Sequence, residues 1–283
     1  MKVLNAEELR VAEGVLFKQL PKSLRVYGLL HSMNMHKGNT VDVVVDTWPD
    51  FKVIICRPDL KSKYTWNVQI PKDANKTVSY YSTDEQILRR MLTEENSLDW
   101  STYFMVEGFD LTHATLLKDM SSARGVNARL ICVARVMYLP DCTLPPVEIE
   151  SELRSRISSL NDSHVELVNS TWKYGGDEVG HWNIKNYISN FPSCCITDDQ
   201  GQPVSWILVY NDCAMGILYT LPEHRRKGYA KIVVSTLARK LHAEGYPVYC
   251  FIDEDNEVSY RLFKKMGFTQ DPSYRAAWLE FNF

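Results

Sequence analysis

The architecture of this chain is read most directly from Met215-Gly-Ile-Leu-Tyr-Thr-Leu-Pro-Glu-His-Arg-Arg-Lys-Gly-Tyr-Ala230. Residues 215–221 are rich in apolar and β-favouring side chains and predict a strand, which Pro222 ends. A loop containing Gly228 follows, and beyond it apolar side chains recur at helical spacing over residues 232–241. The order of strand, glycine-containing loop and helix indicates an α/β architecture.

The loop is strongly basic. Between Pro222 and Leu241 the chain carries six basic residues and one acidic residue, whereas its overall net charge is −3. A loop that leads into a helix N-terminus presents unpaired backbone N–H groups and the positive end of the helix dipole. Gly228 allows a ligand to approach the backbone closely. These features favour a pyrophosphate site, although charge and spacing alone fit a solvated basic loop equally well.

The rest of the second half alternates strands and helices. The run Asp198-Asp-Gln-Gly-Gln-Pro203 predicts a hairpin between residues 194–197 and 204–210. Ser163 is the predicted N-cap of a helix over residues 163–172, with Glu166 completing a capping box. Past Gly245 the pattern predicts a strand, a helix and a last strand, over residues 248–252, 256–266 and 277–281.

The first half also mixes helices and strands but has no glycine-rich phosphate loop. Its patterns predict helices over residues 6–20 and 85–95, and strands over residues 41–45, 51–56 and 128–134. Three prolines within residues 139–147 exclude a helix or a central strand there. We therefore expect two domains that mix helices and strands, in the α/β (α+β) class: residues 1–140 and residues 141–283.

Composition excludes several classes of protein. A chain of 283 residues with 45% hydrophobic and 24% charged residues can bury a sizeable core, unlike a disordered or fibrous protein. The net charge of −3 argues against coating nucleic acid or an anionic membrane. No apolar run reaches the roughly 18 residues that span a bilayer, and no secretory signal pattern opens the chain.

The seven cysteines are scattered, without a C-x-x-C pair or a nearby histidine cluster. This pattern predicts reduced intracellular thiols and no metal site. Cys194 and Cys195 lie in an apolar strand pattern, so we expect them to be structural and neither metal ligands nor nucleophiles.

The segment Arg225-x-x-Gly228-x-Ala230 resembles motif A of the GNAT acyltransferases. The resemblance implies that acyl-CoA binds as a co-substrate, with its pyrophosphate on the loop amides. It also implies that the preceding strand splays from its neighbour and bonds the pantetheine arm. The residues so implied are Thr220, Leu221, Arg225, Arg226, Lys227, Gly228, Tyr229, Ala230 and Asn256.

A closer resemblance, over nearly the whole chain, is to the glycine N-acyltransferases and their like proteins. It implies an acyl-CoA:glycine N-acyltransferase of two tandem GNAT-like domains, with mixed central sheets flanked by helices and no CoA loop in the first domain. The segments that carry it are Arg25-Val-Tyr-Gly28, Val45-Asp-Thr-Trp-Pro-Asp-Phe51, Asn169-x-x-Trp172-x-x-Gly175-Gly-x-Glu178, Phe191-Pro-Ser-Cys-Cys195, Gly201-Gln-Pro-Val-Ser-Trp206 and Thr220-Leu-Pro-Glu-His-Arg225.

The chemistry implied needs a general base, because the α-amino group of an amino acid is mostly protonated at neutral pH. The resemblance assigns the base to Glu223; the alternative is a charge that favours the following helix N-terminus. We expect a backbone N–H of Thr220 or Leu221 to bind the thioester oxygen. Phe263 stands where a GNAT tyrosine commonly protonates the leaving thiolate, so Tyr260 is the candidate acid, with a packing role as the alternative.

Two other functions stay open. One is an acyltransferase whose acceptor is glutamine or a protein amine, and the other is a non-catalytic acyl-CoA-binding protein. Phe263 speaks for the binding protein and Glu223 against it. The expected partners are small-molecule substrates only, with no nucleic acid, membrane span, metal or prosthetic group, and the expected state is a monomer. The resemblance implies a mitochondrial location, although residues 1–24 carry no clear presequence; cytoplasm and endoplasmic reticulum are the alternatives.

Overall fold

The computed structural model describes residues 1–35, 41–58, 71, 74, 76–94, 98–140 and 143–283. These residues divide into two compact units, Met1–Val136 together with Asp271–Phe283, and Met137–Gln270. The first division lies near the boundary expected at residue 140. The last strand, however, belongs to the first unit, whereas the sequence pattern assigned it to the second domain.

Both units alternate helices and strands. The helices are α1 (Ala6–Phe17), α2 (Leu24–Met35), α3 (Glu85–Thr93), α4 (Ala114–Ser122), α5 (Ser151–Arg154), α6 (Val165–Thr171), α7 (Glu178–Asn190), α8 (Tyr229–Ala243) and α9 (Glu257–Lys265). The strands are β1 (Lys2–Val3), β2 (Val41–Val45), β3 (Val53–Pro58), β4 (Thr77–Ser82), β5 (Phe104–Asp110), β6 (Ala128–Tyr138), β7 (Ile157–Ser158), β8 (Ser193–Thr197), β9 (Pro203–Val209), β10 (Met215–Thr220), β11 (Tyr249–Asp253) and β12 (Thr269–Phe281).

The first unit is built on a mixed sheet with strand order β1-β2-β3-β4-β5-β12-β6. β12 pairs antiparallel with β5, so that Leu279 lies opposite Val106 and Phe281 opposite Phe104. The rings of Phe104 and Phe281 stack with centroids 4.5 Å apart inside a buried cluster. This pairing and packing explain why the last strand belongs to the first unit.

A buried arginine joins two strands of this sheet. Arg25 of α2 forms an ion pair with Glu107 of β5, and its Nε donates to Ser79 Oγ of β4 at 3.2 Å. Its methylenes pack on Gly108, where a Cβ would lie 3.0 Å from Arg25 Cγ and Cδ. β4 and β5 are a parallel pair, with Val78 opposite Val106. Arg25 therefore bridges the two strands directly beyond their paired residues.

The second unit is built on a sheet with strand order β11-β10-β9-β8-β7. Helices cover both faces, as adjacent cysteines of β8 show. Cys195 lies in the cluster that α6 and α7 form with β9, whereas Cys194 contacts Thr236 of α8. The predicted fold class, with mixed sheets flanked by helices, is confirmed.

The start of α6 differs from its prediction. Asn161, not Ser163, is the capping residue: its side chain accepts the N–H of Ser163 at 3.0 Å, and His164 completes the capping box. A short 3-10 turn follows, and α6 begins only at Val165. Asparagine and serine both cap helices well, so the pattern alone did not choose between them.

Candidate active site

The site is built around a gap between two parallel strands. β10 and β11 pair at Met215 and Cys250, and beyond that point the described pairing of β10 continues only with β9. A register shift lies between Gly216 and Tyr219, where Ile217 has a φ of +52°. Such a bulge bends a strand and re-aims its residues. In the described pairing, the carboxyl ends of β10 and β11 beyond Met215 and Cys250 are therefore not paired with each other.

The backbone hydrogen bonds distinguish the two candidate oxyanion donors, the N–H groups of Thr220 and Leu221. The N–H of Leu221 donates to Val204 O at 2.9 Å, on the β9 side. Because N–H groups of an antiparallel strand point alternately to its two sides, the N–H of Thr220 points to the β11 side. The Thr220 hydroxyl lies 2.8 Å from Ser205 Oγ, which holds the end of the strand in place. Thr220 is thus the residue whose amide faces the gap.

The basic loop has the backbone geometry that an anion site needs. Arg226 and Gly228 are left-handed, with φ values of +64° and +78°, and Gly228 is the N-cap of α8. Lys231 is the first residue to donate to Gly228 O, so the amides of Tyr229 and Ala230 precede the hydrogen-bonded turns. A Cβ on Gly228 would meet nothing within 4 Å, so space adjoins the loop.

Arg225 fixes the loop to the strand that precedes it. Its Nε donates to Thr220 O at 3.1 Å, and its guanidinium lies 5.6 Å from the centroid of the Tyr219 ring. Lys227 is exposed. The loop is therefore a backbone turn that Arg225 holds in place and that basic side chains surround.

Glu223 lies in a single 3-10 turn, Pro222–His224, between the strand and the loop. Its side chain is exposed, and in the part of the chain that the structure describes no hydrogen bond or ion pair holds it. The adjacent ring of His224 stacks on Tyr229 with centroids 6.4 Å apart. Glu223 is thus available to an incoming ligand, whereas the His224 ring packs on Tyr229.

The residues after β11 have structural contacts. Asn256 caps α9, accepting the N–H of Ser259 at 3.1 Å. Tyr260 is half-buried on α9, with Lys264 Nζ 5.6 Å from the centroid of its ring. Phe263 is buried against Phe268, with centroids 5.0 Å apart. The usual tyrosine position is thus buried in the core, and Tyr260 is a half-buried phenol about one turn earlier on α9.

Sequence reasoning missed a set of contacts at the end of β11. The connection between α6 and α7 carries Lys173 and Tyr174, and both bond Asp253 Oδ2 at 2.7 Å. This connection is shaped by buried Asn169, whose Oδ1 accepts the N–H of Gly176 at 3.0 Å. A Cβ on Gly180 would lie 2.6 Å from the same oxygen. In the sequence, the spacing of Asn169 and the glycines was the available signal for this connection. That spacing indicates a turn.

The two adjacent cysteines are poor nucleophiles. Burial raises the pKa of Cys194 to about 12 and that of Cys195 to about 11. The thiolate, which is the reactive form, is therefore scarce at neutral pH. Six cysteines are free thiols, and Cys142 lies outside the described residues. A covalent acyl-cysteine step has no support at these two positions.

In residues 1–35, 41–58, 76–94, 98–140 and 143–283, no three His, Cys, Asp or Glu side chains are grouped so that they could hold a metal ion. Within the same described ranges, no helix is both long and apolar enough to cross a bilayer.

Comparison with known proteins identifies the family. The aralkyl acyl-CoA:amino acid N-acyltransferase family matches residues 1–192, and an FR47-like family matches residues 195–278. Glycine N-acyltransferase of Homo sapiens is 28% identical, covering 98% of this chain and 96% of its own length. Glycine N-phenylacetyltransferase of Bos taurus is 28% identical, covering 90% of each chain. The predicted resemblance is confirmed.

Solved structures agree on the fold. A Drosophila protein superposes with a TM-score of 0.78 at 17% identity, covering 99% of this chain and 97% of that one. A tandem GNAT protein from the clavulanic acid biosynthesis pathway superposes with a TM-score of 0.51 at 13% identity, covering 98% and 96%. The fold is thus a tandem GNAT fold, and the chain belongs to the aralkyl acyl-CoA:amino acid N-acyltransferase family.

Proposed function

We propose that this N-acyltransferase moves an acyl group from acyl-CoA to the amino group of glycine. The observation that carries the proposal is the family match over residues 1–192. The second unit agrees with it, because β10 and β11 are paired only at Met215 and Cys250 and because Arg225 fixes the basic loop to the end of β10. Relatives named for glycine as acceptor support glycine here.

Acyl transfer takes place in one complex of enzyme, acyl-CoA and amino acid. The amine nitrogen attacks the thioester carbonyl, a C–N bond forms, and Glu223 takes the proton that the nitrogen loses. The carbonyl oxygen becomes an oxyanion, which the N–H of Thr220 stabilises. Collapse breaks the C–S bond and releases coenzyme A as a thiolate. Holding both reactants in one site supplies much of the rate, and no acyl-enzyme is needed.

The CoA pyrophosphate binds the amides of residues 226–230, and Arg225, Arg226 and Lys227 supply positive charge around it. The pantetheine arm enters the gap beside Thr220 and Leu221, of which Thr220 offers its N–H to the gap. Asn256 adds an amide donor near the end of β11, since its Oδ1 is already used as a helix cap. Tyr260 protonates the leaving thiolate. The partial exposure of Tyr260 and the burial of Phe263 support this choice over the usual position.

The loop assignment predicts that Gly228→Ala weakens acyl-CoA binding by at least about tenfold, because its methyl group fills the space where phosphate approaches the backbone. Gly245→Ala is the matched control. Gly245 also has a positive φ, of +81°, and open space at its Cβ, but it lies at the other end of α8. Both variants pay the left-handed strain of about 1–2 kcal/mol. Calorimetry with CoA decides: equal affinities of the two variants contradict the loop site.

We also propose a mitochondrial location and a monomer. The resemblance to the glycine N-acyltransferases supports the location, and a complete set of candidate site residues within one unit of a single chain supports the monomer.

A further inference from the structure

The connection between α6 and α7 crosses the gap between β10 and β11. We call residues 172–174 the crossing segment. At one end, the ring centroids of Trp172 and Tyr210 are 6.4 Å apart, and the Tyr210 ring packs on Gly216 of β10. At the other end, Lys173 Nζ and the Tyr174 hydroxyl donate to Asp253 Oδ2 at the carboxyl end of β11. The segment therefore joins the two strands that the gap separates.

The crossing segment and the phosphate loop lie on opposite faces of the sheet. Trp172 and Tyr210 pack in the cluster of α6 and α7, whereas α8 covers the other face, as Cys194 and Cys195 demonstrate. Acyl-CoA bound at the start of α8 reaches the gap from the α8 face. The amine must then reach the thioester from the face that the crossing segment covers.

The contacts of Asp253 differ in strength. The side chain of Asp253 is 21% exposed, and the Tyr174 hydroxyl reaches it at 2.7 Å, which is a strong hydrogen bond to a carboxylate. Lys173 Nζ lies 2.7 Å from the same carboxylate oxygen and 3.9 Å from Asp255, but the Lys173 side chain is 59% exposed. Surface ion pairs of that kind contribute little. Asp253 is thus the shared partner of Tyr174 and Lys173, with the Tyr174 hydroxyl as its uncharged donor.

We propose that Asp253 is a positioning residue that, through Tyr174, fixes the crossing segment as the acceptor-side wall of the gap. The proposal rests on the proposed function, since it concerns the amino acid acceptor of that reaction. The crossing segment lies on the α6–α7 face of the sheet, whereas the phosphate loop leads into α8 on the other face. Loosening them therefore weakens acceptor binding and leaves acyl-CoA binding as it is.

The test compares Tyr174→Phe and Asp253→Asn with wild type in three measurements. The KM for glycine is expected to rise about 5- to 10-fold while the Kd for acyl-CoA changes less than about twofold. The Kd of the conjugate N-benzoylglycine, measured with CoA present, should rise in parallel. Amide hydrogen exchange of residues 172–176 should accelerate in both variants. Asp255→Asn is the matched control, since the exposed carboxylate of Asp255 lies 3.9 Å from Lys173 Nζ in a weak surface contact, and it should change none of these values.

Each contrary result has its own meaning. Unchanged exchange in both variants shows that the bond does not fix the segment, and faster exchange with unchanged glycine KM shows that the segment is no acceptor wall. Either result overturns the proposal. A wild-type protein that neither turns over nor binds the conjugate refutes the proposed function, and with it the acceptor role of the segment, even if exchange still reports the Tyr174–Asp253 bond.

Discussion

Glu223→Gln is expected to lower turnover of acyl transfer by about 100-fold or more and to leave acyl-CoA affinity unchanged. Glutamine keeps the shape of the side chain but cannot take the proton that the attacking amine loses. The residual rate should rise with pH, because the fraction of acceptor present as free amine rises. The measurement is kcat by product formation across pH, with the Kd for acyl-CoA from calorimetry.

The competing explanation for Glu223 is a charge that favours the helix N-terminus, worth about 0.3–1 kcal/mol of stability and nothing in turnover. Glu85→Gln is the control, because Glu85 is an exposed glutamate in the first turn of α3 in the other unit. It should leave kcat unchanged. If Glu223→Gln also leaves turnover unchanged at every pH, the base role is wrong.

Glu107→Ala is expected to destabilise the first unit by about 3 kcal/mol, because it removes the carboxylate that pairs with buried Arg25. Urea unfolding gives the free energy, and amide exchange in β4 and β5 assigns the loss to this unit. Glu107→Gln keeps an acceptor oxygen and should lose less.

A surface pair provides the comparison for Glu107. Glu94 pairs with Arg90 at 3.7 Å on α3, with both side chains exposed. Glu94→Ala should cost about 0.5 kcal/mol or less. A Glu107→Ala variant as stable as Glu94→Ala would show that the bridge between β4 and β5 is not a stabilising element.

The fold was predictable where local pattern and local structure coincide. The expected strand at residues 215–221 is β10, and the helix expected over 232–241 lies within α8. α2 was not predicted, since it is buried on nearly every side and so lacks an amphipathic period. The pairing of β12 with β5 could not be predicted, because a strand pattern reports which face is buried but not which strand lies beside it.

Part of the candidate site was likewise predictable from the sequence, and part of it was not. Glu223, Arg225 and Gly228 occupy one continuous segment, so the sequence alone brings them together. Tyr174 and Asp253 are separated by 79 positions, and only the folded chain joins them. The choice between Thr220 and Leu221 likewise depended on which side of β10 each amide faces.

The most direct test of the account is to incubate the purified chain with a panel of acyl-CoAs, including benzoyl-CoA, against glycine, glutamine and other amino acids. Products are identified by mass spectrometry, because free cysteines would react with a thiol dye. We expect N-acylglycine, formed by wild type and lost in Glu223→Gln. Acyl-CoA that binds without forming a conjugate with any amino acid would contradict it and would indicate a binding protein or a protein amine as acceptor.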